Sequence, residues 1–354
     1  MAGKTTVAIK GEDFWINGVP TYAGRWFAGK QVEGLLFNVR AVQATFDDEN
    51  WPKVSYYDTE VGRRSFAYPD TGTWDAERNV AEFVAGLPAW RRQGLLAVTL
   101  CFQGGRPIRD SWRGRAEPQP WANSGFTSEG VLKPAYAERM ARCLTALDEL
   151  GMAAIVGSFY FGQSGRLKND DAVRRAVREG TEWLLGTGRR NILVEVANEV
   201  MAVSKPQHHY AEHPILYKGR VRELIELVKE VSGGRLPVSV SFNGGDLPTP
   251  QLVEACDFIL LHGNGQTAEG HQKMVQAVRA MPAWQANPKP IVFNEADDDV
   301  THLDAAFEVH ASWGYYDFGE NDYRYGYQSV PSNWGIISPQ ERAFFSRLAE
   351  ITGK

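Results

Sequence analysis

Two glutamates follow runs of apolar and β-branched residues, and each is preceded by asparagine. Glu199 ends Ile192-Leu193-Val194-Glu195-Val196-Ala197-Asn198, and Glu295 ends Ile291-Val292-Phe293-Asn294. A pair of carboxylates can break a glycosidic bond, because the departing oxygen needs a proton while the cationic sugar carbon needs an anion. One group must then keep its proton near neutral pH while the other stays ionised, and their surroundings have to split them. A single glutamate at a strand end is as readily a partner in an ion pair. The repeated Asn-Glu at two such ends favours chemistry. Glu195 has the strand parity of Glu199 but lies deeper, and it reads as an interior carboxylate held by a neighbouring arginine or amide.

These glutamates need a scaffold that brings distant strand ends together. Strand-like runs occur at 41–46, 95–102, 152–161, 191–197, 236–242, 257–262, 290–294 and 311–318, with 21–26 as an alternative for the first. Amphipathic helices at 75–93, 134–150, 170–186 and 218–231 separate several of them, with apolar residues at i, i+3, i+4. Only a brief helix fits 246–256. Eight strands alternating with helices predict an α/β fold, a (β/α)8 TIM barrel. A doubly wound sheet is the alternative, but no glycine-rich phosphate loop follows an early strand. Near the start, Asn17-Gly18 sits between Phe14-Trp15-Ile16 and Val19, the pairing that a tight hairpin turn favours. The 354 residues carry no linker or repeat, so residues 1–354 read as one catalytic domain, with 1–25 as an N-terminal hairpin leading into the barrel.

Barrel sites form at the C-terminal ends of the strands and in the loops that follow. Those ends carry Gln103, Tyr160 with Gln163, Asn198-Glu199, Asn243, His262 with Asn264, Asn294-Glu295, and an aromatic eighth strand with Trp313, Tyr315, Tyr316 and Asp317. Neutral hydrogen-bonding groups and aromatics suit a polyol. A net charge of −5 argues against nucleic acid or an anionic membrane as the partner, since both want a basic face.

At this point the chain resembles the clan A glycoside hydrolases, (β/α)8 retaining enzymes that include family five cellulases and mannanases. FWINGVPTYAGR (14–25), VEVANEV (194–200), LLHGN (260–264) and IVFNEAD (291–297) carry the likeness. It implies Glu199 as acid/base, Glu295 as nucleophile, Asn198 on the sugar 2-hydroxyl, His262 at strand six, and Trp313 or Tyr315 as the strand-eight platform. Arg25, Gln103, Asn123, Tyr160, Gln163, Asn243 and Asn264 complete the expected substrate contacts. The arginine common on strand two of that clan is not evident, and Gln103 stands near its place. Segments GLLFNVRAVQATFDD and FYFGQ also resemble a group of bacterial proteins, a likeness that adds no function.

Other features have blander readings. His208, His209 and His213 could bind zinc, but KPQHHYAEHP lacks the HExxH arrangement and reads as a loop at the cleft. Asp297, Asp298 and Asp299 could hold calcium, yet a solvated turn with one member orienting a neighbour fits better. The basic, aromatic loop 104–132, with Arg106, Arg109, Trp112, Arg113, Arg115 and Trp121, reads as a flap or as a cleft wall for an acidic sugar. Cys101, Cys143 and Cys256 read as buried reduced thiols. No metal or organic cofactor is expected. No apolar leader opens the sequence, which as written points to the cytoplasm, or to export if a signal has been removed. A carbohydrate-binding barrel without turnover and a metal-dependent barrel hydrolase are the competing functional readings.

Overall fold

The computed structural model describes residues 3–49, 66–105, 121–200, 213–319 and 322–354. Eight parallel strands form the barrel: Asn38–Arg40, Ala97–Cys101, Ala153–Phe159, Ile192–Ala197, Val238–Ser239, Ile259–His262, Ile291–Glu295 and Gly314–Tyr315. Strands one to five pair in order, and strand eight pairs with strand one, Gly314 opposite Asn38. Strands six and seven pair with each other, and the bridge Val292↔Ser312 joins strand seven to strand eight. The Asp257 N–H donates to the Val238 carbonyl between strands five and six at 2.9 Å. The barrel expected from the alternation of elements is the fold observed.

Seven of the eight strands fall within their expected runs or run one residue past them; the first does not. It is Asn38–Arg40, while Val42–Thr45 is a short 3-10 helix and residues 21–24 are turn. Asn38 and Arg40 interrupt the apolar run Leu35-Leu36-Phe37-Val39, so the segment does not look like a buried strand. The reason is that this barrel has a polar middle. Leu36, Ala97, Ala153, Ile155, Leu193, Phe258, Leu260 and Val292 fill its lower layer. Two residues further along the same strands, Asn38, Thr99, Glu195 and Asn294 are buried in the layer above. Gly157 leaves room there, since a Cβ would lie 2.4 Å from the Cys101 sulfur.

The hairpin predicted at the N-terminus is present. Asp13–Ile16 pairs with Val19–Pro20 across Asn17-Gly18, whose φ values of 52° and 78° fit a turn needing two left-handed residues. Val7–Lys10 adds a third strand. Phe14 packs edge-on against Phe258 at 6.2 Å, at the N-terminal end of strand six. The hairpin therefore closes the bottom of the barrel, opposite the mouth.

Helices Ala76–Arg92, Pro134–Glu149, Asp170–Gly186 and Arg222–Ser232 match their expected positions, the last starting four residues late. The brief helix is Pro250–Ala255. A large outer core lies between helices and strands. Cys101, Cys143 and Cys256 are buried and unpaired to one another, and burial pushes the last two thiols up to about 12 and about 11. Among the described residues, no helix is long and apolar enough to cross a membrane.

Candidate active site

Strands four, six and seven deliver Glu199, His262 and Glu295 to one place at the mouth. One side-chain oxygen of each glutamate and one ring nitrogen of His262 all lie within 4.8 Å of one another. His262 Nδ1 is 3.0 Å from Glu199 Oε1 and 3.8 Å from Glu295 Oε2. All three residues are buried. Glu199 has φ of +56°, a left-handed conformation that costs a non-glycine residue about 1–3 kcal/mol and tends to occur where geometry serves function.

Arg40, at the end of strand one, brings a guanidinium to this site. Its Nε lies 2.6 Å from Glu295 Oε2, a close ion pair whose N–H is not aligned as a hydrogen bond. Its Nη2 donates to Asn198 Oδ1 at 2.5 Å, and Nη1 is 3.9 Å from Glu195 Oε2. Burial opposes the guanidinium charge, but Glu295 and then Glu195 overcome it and raise its pKa. Asn294 Nδ2 also donates to Glu195 at 3.2 Å, so the interior carboxylate is held by an arginine and an amide, as its parity suggested. Asn264 Nδ2 donates to Glu295 Oε1 at 3.0 Å.

Tyr160 stands beside this group. Burial first, and the charge of Glu295 second, raise its pKa well above the ordinary phenol value. A Cβ on Gly105 would sit 1.9 Å from Tyr160 Cζ, so the ring occupies the space that the glycine leaves open. Asn243 is half-buried in the turn after strand five, where its carbonyl accepts the Asp246 N–H.

Six expected substrate contacts are placed elsewhere. Arg25 donates to the carbonyls of Ile351 and Glu350 at the end of the last helix, on the bottom face. Trp313 and Tyr315 point outward, their rings 5.8 and 4.7 Å from that of Phe344. A one-residue change of parity explains this correction. Gly314 faces the interior, where a Cβ would meet Asn38 Oδ1 at 2.4 Å, and Tyr316 shares its parity. Tyr316 is half-buried and lines a cavity of about 320 Å³ with Asn264, Asp297, Asp298 and Phe318. Gln103, Asn123 and Gln163 are wholly buried and hold the wall together. Gln103 bonds Ser124 and the Tyr160 N–H, Asn123 accepts from Tyr136, and Gln163 links Asn123 to the Trp121 carbonyl.

His208, His209 and the arginines of 106–115, with Trp112, lie outside the described residues. His213 is buried, with Nε2 3.0 Å from the Ser164 carbonyl. In the acidic run, Asp299 caps the helix Val300–Glu308, and Asp297 Oδ2 is 2.7 Å from His302 Nδ1. His271 stacks on His302 with 28° between planes, and one ligand atom each from His271, Asp297 and His302 lies within 4.8 Å of the others.

Arg40 is the residue sequence reasoning missed, and Tyr316, named at the end of strand eight, was passed over for Trp313 and Tyr315. The alternation Phe37-Asn38-Val39-Arg40 carried the signal for Arg40, since polar residues of one parity mark a polar barrel interior. For Tyr316 the signal was the small Gly314 two residues before it.

The fold is that of the (β/α)8 barrel, and the solved structures it resembles are glycoside hydrolases. A GH5-4 broad specificity endoglucanase from an uncultured bacterium superposes with TM-score 0.52 at 10% identity, over 90% of this chain and 94% of its own. A beta-1,4-D-mannanase from Cryptopygus antarcticus gives 0.52 at 12%, over 99% and 95%. A beta-glucosidase from Thermotoga maritima, in complex with deoxynojirimycin, gives 0.54 at 12%, over 91% and 99%. No protein-family model matches the sequence, and no curated protein matches it.

Proposed function

We propose that the chain is a retaining glycoside hydrolase acting on an oligo- or polysaccharide, with residues 1–354 as one catalytic unit. The observation that carries this reading is the pair of facing glutamates, with side-chain oxygens within 4.8 Å across the mouth. Retaining enzymes hold their carboxyl groups about 5–5.5 Å apart, whereas inverting ones leave room for a water between them. Glu295 attacks the anomeric carbon while Glu199 gives its proton to the departing oxygen. Glu199 then takes a proton from water, which hydrolyses the glycosyl-enzyme and frees Glu295. Arg40 and Asn264 orient Glu295 and compensate its charge, and His262 orients Glu199. Among the described residues, the half-buried Asn243 and Tyr316 and the buried Asn198 and Tyr160 are the side chains assigned to the sugar.

The cluster Glu199, His262 and Glu295 also has the spacing of a cation site, which keeps a metal-dependent hydrolase as the second reading. The Arg40 guanidinium beside Glu295 weighs against it, because it already supplies positive charge and would repel a divalent ion.

Hydrolysis of a broad panel of aryl glycosides tests both readings. Wild type should cleave at least one with retention at the anomeric carbon, seen by NMR. Glu199→Gln and Glu295→Gln should each lose several orders of magnitude. Inversion would overturn the retaining mechanism, unchanged variants would overturn the residue roles, and loss of activity on chelation would favour the metal reading.

A further inference from the structure

The left-handed conformation of Glu199 coincides with a break in the barrel ladder. Ser239 pairs with Glu195, and the next parallel bridge is Phe242 with Val200. Strand four thus advances five residues while strand five advances three, so the stretch holding Asn198 and Glu199 bulges. Such a bulge re-aims a side chain, and it takes backbone groups out of their ladder bonds. Ser241 spans the break. Its N–H donates to the Ala197 carbonyl at 3.3 Å, and its carbonyl accepts the Val200 N–H at 3.0 Å. Between these, its hydroxyl oxygen accepts the Glu199 N–H at 3.0 Å. A side chain takes the place of a carbonyl where the register slips.

We infer that Ser241 is a positioning residue: its hydroxyl fixes the backbone of Glu199 in the turn that aims the carboxyl group across the mouth. This rests on the acid/base role proposed for Glu199. Ser241 is fully buried and points into the barrel with the parity of Ser239. The two backbone bonds beside it do not use the hydroxyl, so removing that hydroxyl leaves the strand pairing in place and releases only the Glu199 turn. The carboxyl group then loses its aim at the departing oxygen and its 3.0 Å approach to His262.

The test uses Ser241→Ala, Ser241→Cys and Ser241→Thr in the full chain, on a sugar that wild type cleaves. Each is assayed with a phenyl and a 2,4-dinitrophenyl aglycone. Phenolate leaves only with a proton from the acid, whereas dinitrophenolate leaves without one. Ser241→Ala should lose about 100-fold in kcat/KM on the phenyl glycoside and stay within about threefold on the dinitrophenyl one, the scale of a misplaced catalytic group. Ser241→Thr should restore the phenyl rate, and Ser241→Cys, with a poorer acceptor, should not. Equal losses on both aglycones, or no loss on either, would overturn the inference. Glu199→Gln in the same assay separates the two ideas. If it shows no aglycone dependence, the role of Glu199 fails; if it does and Ser241→Ala does not, only the role of Ser241 fails. A crystal structure of Ser241→Ala or Ser241→Cys reads the same question without substrate. Glu199 leaving the left-handed region supports the inference, and an unchanged turn overturns it.

Discussion

Arg40 and Glu295 sit at the ends of strands one and seven, with Nε and Oε2 2.6 Å apart and both side chains out of solvent. The same guanidinium reaches Asn198 and approaches Glu195, so one cation from strand one organises three groups from strands four and seven. Removing it would leave Glu195 and Glu295 close together with no compensating charge. Arg40→Met should therefore cost about 3–5 kcal/mol of stability, the usual result of breaking a buried pair from one side. Arg40→Lys should keep more stability but still lose activity, because an ammonium cannot serve several acceptors in fixed directions. Urea unfolding and kcat for both variants check this.

Tyr316 and Trp313 should separate by what they affect. Tyr316→Ala removes an aromatic wall of the mouth and should raise KM about three- to tenfold, in line with the worth of an aromatic contact. Trp313→Ala empties a site in the outer core beside Phe344 and should cost about 3–5 kcal/mol of stability. Its KM should stay unchanged for the molecules that remain folded. The reverse pattern would restore Trp313 as the sugar platform.

Gly105→Ala should lower kcat by about tenfold or more with little change in fold, because the new methyl must push Tyr160 out of its place beside Glu295. Near-wild-type turnover would mean that the position of Tyr160 does not matter to the reaction.

His271 should make stability depend on pH. Burial lowers its pKa below the ordinary 6.5, so the unfolded chain binds that proton more readily than the folded one. Its contribution to stability is then present above pH 6.5 and is lost as pH falls through the lower folded value. Urea midpoints of wild type should fall from pH 7 to pH 5, and His271→Phe should flatten part of that decline. Parallel curves for the two proteins would rule out His271 as the source.

Much of the fold was legible because a hydrophobic run marks a buried strand whichever way its neighbours pack. Asn38–Arg40 escaped because its inward residues are polar, and hydrophobicity cannot report a polar interior. Glu199 and Glu295 were legible from the two Asn-Glu ends. Trp313 and Tyr315 were misread because strand eight contributes only two residues to its ladder, so parity was set by the fit of Gly314 against Asn38. Arg25 was misread for a different reason: sequence cannot say that the hairpin caps the bottom of the barrel. Ser241 had no signal at all, since its role arises from a slip in pairing between two strands.

The hairpin at the bottom has a consequence for how the molecule can be extended. Lys4 and Thr5 donate their N–H groups to Asp148 near the lower end of a surrounding helix, and the final helix ends against Arg25. Both points of attachment are on the side away from Glu199 and Glu295. A fusion partner, an affinity tag or a surface linkage joined at either end would hold the barrel by its base, away from the mouth. Immobilised in that orientation, the protein should treat a polymer and a short oligosaccharide with the same relative preference as it does free in solution.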